Sequence, residues 1–89
     1  MKYRNDNKEV ATKVLEHLEG ELEDICKYNC LYEMLVEREM YEEAEYIEKI
    51  ASDEWRHADR LWSMLGKFDI NIPQKIEELW DKVEEIFEE

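Results

Sequence analysis

The sequence predicts an all-α protein in which two long helices form an antiparallel hairpin and a short helix follows. Charged residues make up 42% of the 89 residues, and the chain has only two glycines and one proline, so it offers little material for turns or sheets. Apolar residues also recur at steps of three and four positions, the period of an amphipathic helix. A chain of this length forms one domain, residues 1–89.

The first helix is predicted at about residues 7–37, with N-cap candidates in Asn5-Asp6-Asn7. Its apolar stripe consists of Val10, Val14, Leu18, Leu22, Ile25, Tyr28, Tyr32 and Leu35. Glu21 falls on this stripe. An unpaired ionised carboxylate taken out of water costs several kcal/mol, so Glu21 needs either solvent or a positive partner.

The second helix is predicted at about residues 40–65, and Gly66 is expected to end it. Its inner face is expected to hold Ala44, Ile47, Ile50, Glu54, His57, Ala58, Leu61 and Leu65. The connection Glu37-Arg38-Glu39 contains neither glycine nor proline. One continuous helix of about sixty residues is therefore the competing interpretation, and the usual lengths of globular helices disfavour it.

A loop at residues 68–73 leads to a third helix at about 73–88. Asn71 and Gln74 have the spacing of a capping box, and Pro73 suits a first helical turn. The apolar side of this helix holds Ile76, Leu79, Trp80, Val83, Ile86 and Phe87. We expect it to dock on its own bundle or across dimers, giving an assembly larger than two.

Two long helices and one short helix cannot enclose a core, because each long helix shields only one side of the other. A homodimer at minimum is therefore expected, in which two hairpins form a four-helix bundle.

The net charge of −13 excludes nucleic acid and anionic membrane surfaces as partners, since no basic patch is available. The acidity serves either solubility or the concentration of cations. No apolar run is long enough for a membrane span, and the first residues lack a signal-peptide core, so the expected location is the cytoplasm. Cys26 and Cys30 lie four apart on one helix, poorly placed for a disulfide, and are expected to be buried thiols in a reducing compartment.

The segment Glu54-Trp55-Arg56-His57 places a carboxylate and an imidazole on the same face of the second helix. Together with Glu21 it supplies half of the ligand set of ferritin-like di-iron bundles. Carboxylate-rich ligation with one imidazole suits iron, or manganese, better than structural zinc. Two other interpretations stay open: His57 as a core histidine bonded to Glu54, and Glu21 as a solvated residue at the edge of the stripe.

Longer strings around these residues resemble bacterioferritin over roughly residues 15–72. They are Glu21-Leu22-x-x-Ile25-x-x-Tyr28 and Ser52-Asp53-Glu54-Trp55-Arg56-His57-Ala58-Asp59-Arg60. The resemblance implies that Glu21 is a terminal iron ligand, that Glu54 bridges two irons and that His57 is a nitrogen ligand. Tyr28 would hydrogen-bond a ligand carboxylate. Bacterioferritin has two further helices, so a homodimer would have to regenerate the second ligand set, as in the half-sized encapsulated ferritins.

Three positions depart from that family or stay ambiguous. Trp55 stands where the family's haem methionine would be, so haem is disfavoured, and Trp55 is expected to fill an interface. Asp53 matches a residue of the family's inner iron site, but Lys49 replaces its histidine partner. His17 is expected on the surface rather than as a support for Glu21.

Three functions follow, in order of preference. The first is a ferroxidase that oxidises Fe(II) with O2 or peroxide for iron storage or detoxification. The second is a peroxide-scavenging di-iron or di-manganese protein of rubrerythrin or catalase type. The third is a helical assembly module without enzymatic activity, in which Glu21, Glu54 and His57 coincide by chance.

Overall fold

The computed structural model describes residues 7–88, and within them the chain forms three α-helices and no β-strand. They are α1 (Lys8–Glu37), α2 (Tyr41–Leu65) and α3 (Gln74–Phe87), each beginning and ending within one residue of the predicted bounds. The molecule measures 51 × 20 × 20 Å, because a helix of 30 residues determines its long axis. No helix in the described part is long and apolar enough to cross a membrane.

Helices α1 and α2 pack against each other through small residues on α2. The buried residues of α1 are Ala11, Val14, Leu18, Leu22 and Ile25, and those of α2 are Ala44, Ala51, Ala58 and Leu65. Ala44, Ala51 and Ala58 recur every seven residues and form an alanine seam on the side of α2 that faces α1. These small side chains allow the two backbones a close approach.

The sequence-based assignment of the inner faces was partly wrong. Val10 is 50% exposed and Ile50 is 40% exposed, while Ile47 and Leu61 are only half-buried. Val10 and Ile50 lie on a flank of the hairpin that is largely exposed, whereas Leu61 packs against the edge of the core cluster and Ile47 lines a cavity with Tyr28. Periodicity alone could not separate this flank from the alanine seam, because both carry apolar residues at helical spacing.

The turn between α1 and α2 is made without glycine. Glu39 takes a positive φ of 59°. The Met40 N–H donates to the Leu35 carbonyl at 2.9 Å, and the Glu39 N–H donates to the Val36 carbonyl at 3.0 Å. This pair of bonds is the Schellman arrangement that usually places glycine in the left-handed position. Here a glutamate accepts that conformation, so the sequence carried no conventional signal for the turn.

The other helix ends differ in detail from the sequence prediction. Helix α2 does end at Gly66, but Gly66 has ordinary helical φ and ψ angles. The chain leaves α2 through tight bonds such as Phe68 N–H to the Leu65 carbonyl, 3.1 Å. The expected capping box of Asn71 is not formed: Pro73 is the N-cap residue of α3, and no side chain among residues 7–88 caps that helix. Asn7 likewise makes no side-chain cap bond, and Asn5 and Asp6 lie outside the described residues.

Helix α3 docks on its own hairpin and runs antiparallel to α2. Ile76, Trp80 and Val83 are buried in the same core cluster as Leu18 and Leu22. Trp80 contacts both Trp62 and Trp55, while Phe87, further along α3, contacts Trp55. The Lys75 ammonium and the Glu19 carboxylate, 2.9 Å apart, join the start of α3 to α1. Of the two docking modes expected for this helix, the structure shows the one on its own hairpin, and the size of the assembly stays a prediction.

Candidate metal centre

Three candidate ligands come together at the middle of the hairpin. Glu21 lies on α1, and Glu54 and His57 lie one helical turn apart on α2. Because the alanine seam brings the two helices close together, these three side chains meet on one flank. One potential ligand atom from each lies within 4.8 Å of the other two. Within residues 7–88 this is the one group of three or more His, Cys, Asp or Glu side chains with that geometry.

The individual distances leave room for a cation. The His57 Nδ1 atom lies 3.8 Å from Glu21 Oε2 and 4.0 Å from Glu54 Oε1, too far for hydrogen bonds. Nitrogen and oxygen ligands of one metal ion at about 2.0–2.2 Å from it lie within about 4.4 Å of each other. Small side-chain adjustments would therefore convert the observed spacing to that of a metal site.

Burial makes the Glu21 carboxylate costly without a partner. The side chains of Glu21 and Glu54 are each 24% exposed, whereas His57 is 54% exposed. The Oε2 atom of Glu21 is buried and has no hydrogen-bond partner in the described part of the chain. Such atoms are rare in native proteins and call for an ion or another group. A cation held between the three side chains would satisfy this oxygen, so the donor set fits a metal.

Electrostatics agree with this interpretation. Burial in first place, and then the neighbouring carboxylates of Glu54 and Asp24, together raise the pKa of Glu21 from 4.5 to about 7. A bound divalent cation would reverse both effects by stabilising the ionised form. Asp24 was not singled out from the sequence, although its position three residues after Glu21 on one helix was the available signal.

The site faces the flank of the hairpin that α3 does not cover. Trp55 and Trp62 mark the flank of α2 in contact with α3. Glu54 and His57 instead share a face of α2 with Ile50, Leu61 and Met64, which lie four or seven residues from one of them. Ile50 and Met64 are 40% and 44% exposed. Within residues 7–88, the apolar side chains of Ile50 and Met64 on this flank are therefore only partly covered.

Tyr28 lies two helical turns along α1 from Glu21 and does not take part in the site within residues 7–88. It is half-buried, between α1 and α2 near the end of α3, and lines a cavity of about 300 Å³ with Tyr32, Ala51 and Phe87. Its hydroxyl makes no hydrogen bond inside residues 7–88. The bond to a ligand carboxylate that the bacterioferritin resemblance implies stays a prediction for the assembled protein.

The remaining candidates take structural or surface positions. The ring of Trp55 stacks on Phe87 at 5.5 Å and is directed at α3, as expected for a residue that fills an interface. Asp53 pairs with Arg56, and Lys49 pairs with Glu45 at 3.5 Å, both on the exposed side of α2. His17 is exposed.

The two cysteines differ in their surroundings. Both thiols are free, and Cys26 is half-buried against the core cluster. Cys30 is exposed, so the expectation that it is buried was wrong. It lies four residues beyond Cys26 on α1.

Comparison with known proteins identifies the family. A family model described as Rubrerythrin matches residues 14–88, which include all three candidate ligands and the whole of α3. Searches of curated proteins and of solved structures found no match. Rubrerythrins belong to the ferritin-like di-iron superfamily, so the matched domain implies a di-iron centre. With most of its length matched, the chain belongs to the rubrerythrin family.

Proposed function

We propose that two copies of this chain build one di-iron centre that oxidises Fe(II), and that the protein serves iron storage or detoxification. The observation that carries the proposal is the buried, unpartnered Oε2 of Glu21 beside Glu54 and His57. Each chain would contribute Glu21, Glu54 and His57 as ligands. Bound iron would supply the one-electron redox chemistry that O2 or peroxide reduction needs.

The position of the site supports a two-fold dimer. Glu21 lies near the middle of α1 and Glu54 near the middle of α2. A two-fold axis through the site would therefore lay one hairpin along the full length of its partner. The apolar residues to be covered are Val10, Leu31, Ile50 and Met64, each at least 38% exposed in the single chain. One chain alone offers three ligands, so the partner completes the set.

Charge balance favours two divalent cations at such a dimeric site. Two copies of Glu21 and Glu54 carry four negative charges when ionised, and neutral His57 adds none. Two Fe(II) ions neutralise them, which matters in a poorly solvated bundle interior. Manganese matches the same donors, whereas structural zinc prefers thiolate and imidazole.

The ferroxidase assignment gains support from the residues around the ligands. Their order resembles bacterioferritin, and a dimer of such hairpins would resemble the half-sized encapsulated ferritins in plan. In the dimer, Tyr28 would hydrogen-bond a ligand carboxylate and hold it in place. Trp55 is stacked against α3, so we assign no haem to this chain. The two free thiols suit a reducing compartment, and we place the protein in the cytoplasm.

Peroxide scavenging is the second candidate, and the family match fits it equally well. In that activity the same ligands would hold the metals, and H2O2 rather than Fe(II) would be the substrate consumed. Two electrons and two protons convert one H2O2 to two water molecules, and an external reductant would have to restore the centre.

Metal analysis combined with solution mass tests the site. We expect a dimer or a multiple of it, and about one iron per chain after anaerobic loading with Fe(II). Glu54→Ala should lose the bound iron. Glu48→Ala, at an exposed position on the same helix, is the matched control and should keep it. A Glu54→Ala protein that binds iron with the wild-type stoichiometry would show that the ligand assignment is wrong.

Substrate turnover separates the two activities. A ferroxidase oxidises many Fe(II) per site with O2 or peroxide, and the oxygen uptake scales with the iron added. A peroxide scavenger consumes H2O2 with an added reductant and stops after one filling of the site when given excess Fe(II). A well-folded monomer that binds no iron would leave only the assembly-module interpretation.

A further inference from the structure

A cavity of about 570 Å³ lies at the open end of the hairpin, where α1 begins and α2 ends. Val10, Met64 and Phe68 give it apolar walls. Val10 is 50% exposed and Met64 is 44% exposed, so these walls face solvent in the described chain. Met64 shares its face of α2 with the candidate ligands Glu54 and His57, and the cavity therefore belongs to the flank that a second copy would cover.

The opposite end of the same flank carries an exposed aromatic ring. Tyr46 is 56% exposed, and its hydroxyl donates to the Glu42 carboxylate one turn earlier, at 3.1 Å. After Tyr46, steps of four and three residues along α2 reach Ile50, Glu54, His57, Leu61 and Met64. Tyr46 precedes Glu54 by eight residues and Met64 follows it by ten, which correspond to about 12 Å and 15 Å along the helix axis. The ring and the cavity thus lie at similar distances on opposite sides of the candidate centre.

The two ends of the flank differ in charge. Residues 37–43, around the turn, contain one arginine and four glutamates, which are Glu37, Glu39, Glu42 and Glu43. At the cavity, two basic residues, Arg60 and Lys67, accompany the single acidic residue Asp59. Neither basic side chain has an ion-pair partner among residues 7–88. Two hairpins aligned in parallel would bring two acidic turns together, whereas antiparallel alignment places each acidic turn at a basic cavity.

We propose that Tyr46 of a second copy fills this cavity and that the two copies lie antiparallel. This contact rests on the proposed function for the position of the two-fold axis, which passes through the candidate centre. An axis perpendicular to the hairpin brings what lies on one side of the centre in one chain to the other side in its partner. Tyr46 then enters beside Met64, whose thioether is attracted to an aromatic ring. Glu43, about 16 Å from the level of Glu54, comes close to Lys67 at about 20 Å.

The contact occurs twice in the dimer and sets the register of the two hairpins. Sliding one hairpin by a helical turn, about 5.4 Å, would withdraw Tyr46 from the cavity and would also separate the two ligand sets. Tyrosine and arginine are enriched among the interface residues that dominate binding. The surface that selects the second copy therefore also aligns Glu21, Glu54 and His57 of both chains.

Chemical cross-linking tests the alignment. Tyr46→Cys and Met64→Cys are combined in a chain whose own thiols are removed by Cys26→Ala and Cys30→Ser, and a short bismaleimide is added to the iron-loaded protein. The two positions are eighteen residues apart, about 27 Å along one helix, so a short cross-link between them joins two chains. We expect covalent dimers on denaturing gels. Tyr41→Cys with Met64→Cys is the matched control and should give several-fold fewer, because Tyr41 is equally exposed but lies off this face.

The single substitution Tyr46→Cys separates the two possible alignments. In the antiparallel dimer the two copies of position 46 lie about 24 Å apart, so the same reagent should leave the chains unlinked. In a parallel dimer the two copies would lie side by side. Covalent dimers from Tyr46→Cys alone would therefore overturn the proposed contact.

Dimer dissociation, measured by sedimentation equilibrium, tests the contributions of the ring and the charges. Tyr46→Ala should raise the dissociation constant about tenfold or more, whereas Tyr41→Ala should leave it unchanged. Lys67→Glu should raise it several-fold, and adding Glu43→Lys to the same chain should restore it. Positions 43 and 67 are about 36 Å apart along one chain, so such a rescue acts between chains. Far-UV circular dichroism should match the wild type in every variant.

Iron content and solution mass distinguish failure of this contact from failure of the proposed function. An iron-binding wild-type dimer in which Tyr46→Cys and Met64→Cys give no covalent dimers would overturn the contact and leave the function intact. A wild-type dissociation constant for Tyr46→Ala would have the same meaning. A well-folded wild-type monomer that binds no iron would overturn both.

Discussion

Replacing Glu21 by glutamine removes the carboxylate whose pKa is raised, and its effect on the metal-free protein should depend on pH. Burial and the carboxylates of Glu54 and Asp24 raise the pKa of Glu21 from 4.5 to about 7. Below pH 4.5 the carboxyl group is protonated in both the folded and the unfolded chain. Between pH 4.5 and 7 the unfolded chain releases this proton while the folded chain keeps it. Glu21 therefore stabilises the fold at acid pH, and this contribution is lost as the pH rises through 7.

The size of the effect follows from the shift. Each pKa unit corresponds to about 1.4 kcal/mol. The shift from 4.5 to about 7 therefore limits the pH-dependent change in the free energy of unfolding to about 3 kcal/mol. The side chain keeps 24% of its exposure, so water screens part of the interaction and about 1–2 kcal/mol is the realistic value. For a domain of this size that corresponds to a change in melting temperature of about 4–16 °C.

The assay is urea unfolding of metal-free wild-type and Glu21→Gln protein at pH 5 and pH 8.5. The free energy of unfolding of the wild type should fall relative to the variant by about 1–2 kcal/mol between these pH values, which leaves the variant more stable at pH 8.5. Glu23→Gln, at an exposed position on the same helix, is the control and should show no such change. Fe(II) at saturating concentration should reverse the order, since it binds the ionised carboxylate. A difference between wild type and Glu21→Gln that does not change with pH would refute the reasoning.

Four further changes test other parts of the structure. Gly20→Ala should raise the free energy of unfolding by about 1 kcal/mol in a urea titration, because a Cβ at this mid-helix position meets nothing within 4 Å; a loss of stability would contradict the open space seen there. Glu39→Gly should also stabilise the protein, by about 0.5–1 kcal/mol, because glycine adopts the positive φ of the turn without strain. Glu37→Gly, at the end of α1, is the contrast and should destabilise the protein. Trp80→Ala should cost about 3–5 kcal/mol because its ring is buried between Trp55 and Trp62, and a cost below about 1 kcal/mol would show that α3 is not firmly docked. Ile50→Lys should yield a monomer of unchanged helicity in light scattering, whereas the same substitution at exposed Glu45 should leave the mass unchanged; an Ile50→Lys dimer would place the interface elsewhere.

The sequence was sufficient to predict the helices and the proximity of Glu21, Glu54 and His57, for different physical reasons. Long amphipathic periods and the scarcity of glycine and proline determine where the helices run. Their three-residue spacing places Glu54 and His57 on one face of α2. The position of Glu21 on an apolar stripe indicated that its carboxylate needs either solvent or a positive partner. The structure brings these three together as the periodicity implied.

Other features depended on information that no local pattern contains. The sequence did not show that α1 would contact the alanine seam rather than the face of Ile50 and Leu61. That outcome depends on how closely the two backbones approach, which is a property of the pair of helices. Backbone hydrogen bonds hold Glu39 in the left-handed conformation, which glutamate adopts less readily than glycine. The contact of Trp80 with Trp55 and Trp62 required the direction in which α3 returns, and that direction is decided by the loop after Gly66.

The return of α3 along the hairpin has a consequence for how longer proteins of this architecture could arise. A head-to-tail duplication of the gene must carry the chain from the end of one hairpin to the start of the next. With the two hairpins related by a two-fold axis, that connection has to travel back along the bundle. Helix α3 already covers about 21 Å of this path with its 14 residues. A fused descendant would therefore inherit a ready-made crossover, and its two halves would then be free to diverge at Glu21, Glu54 and His57 independently.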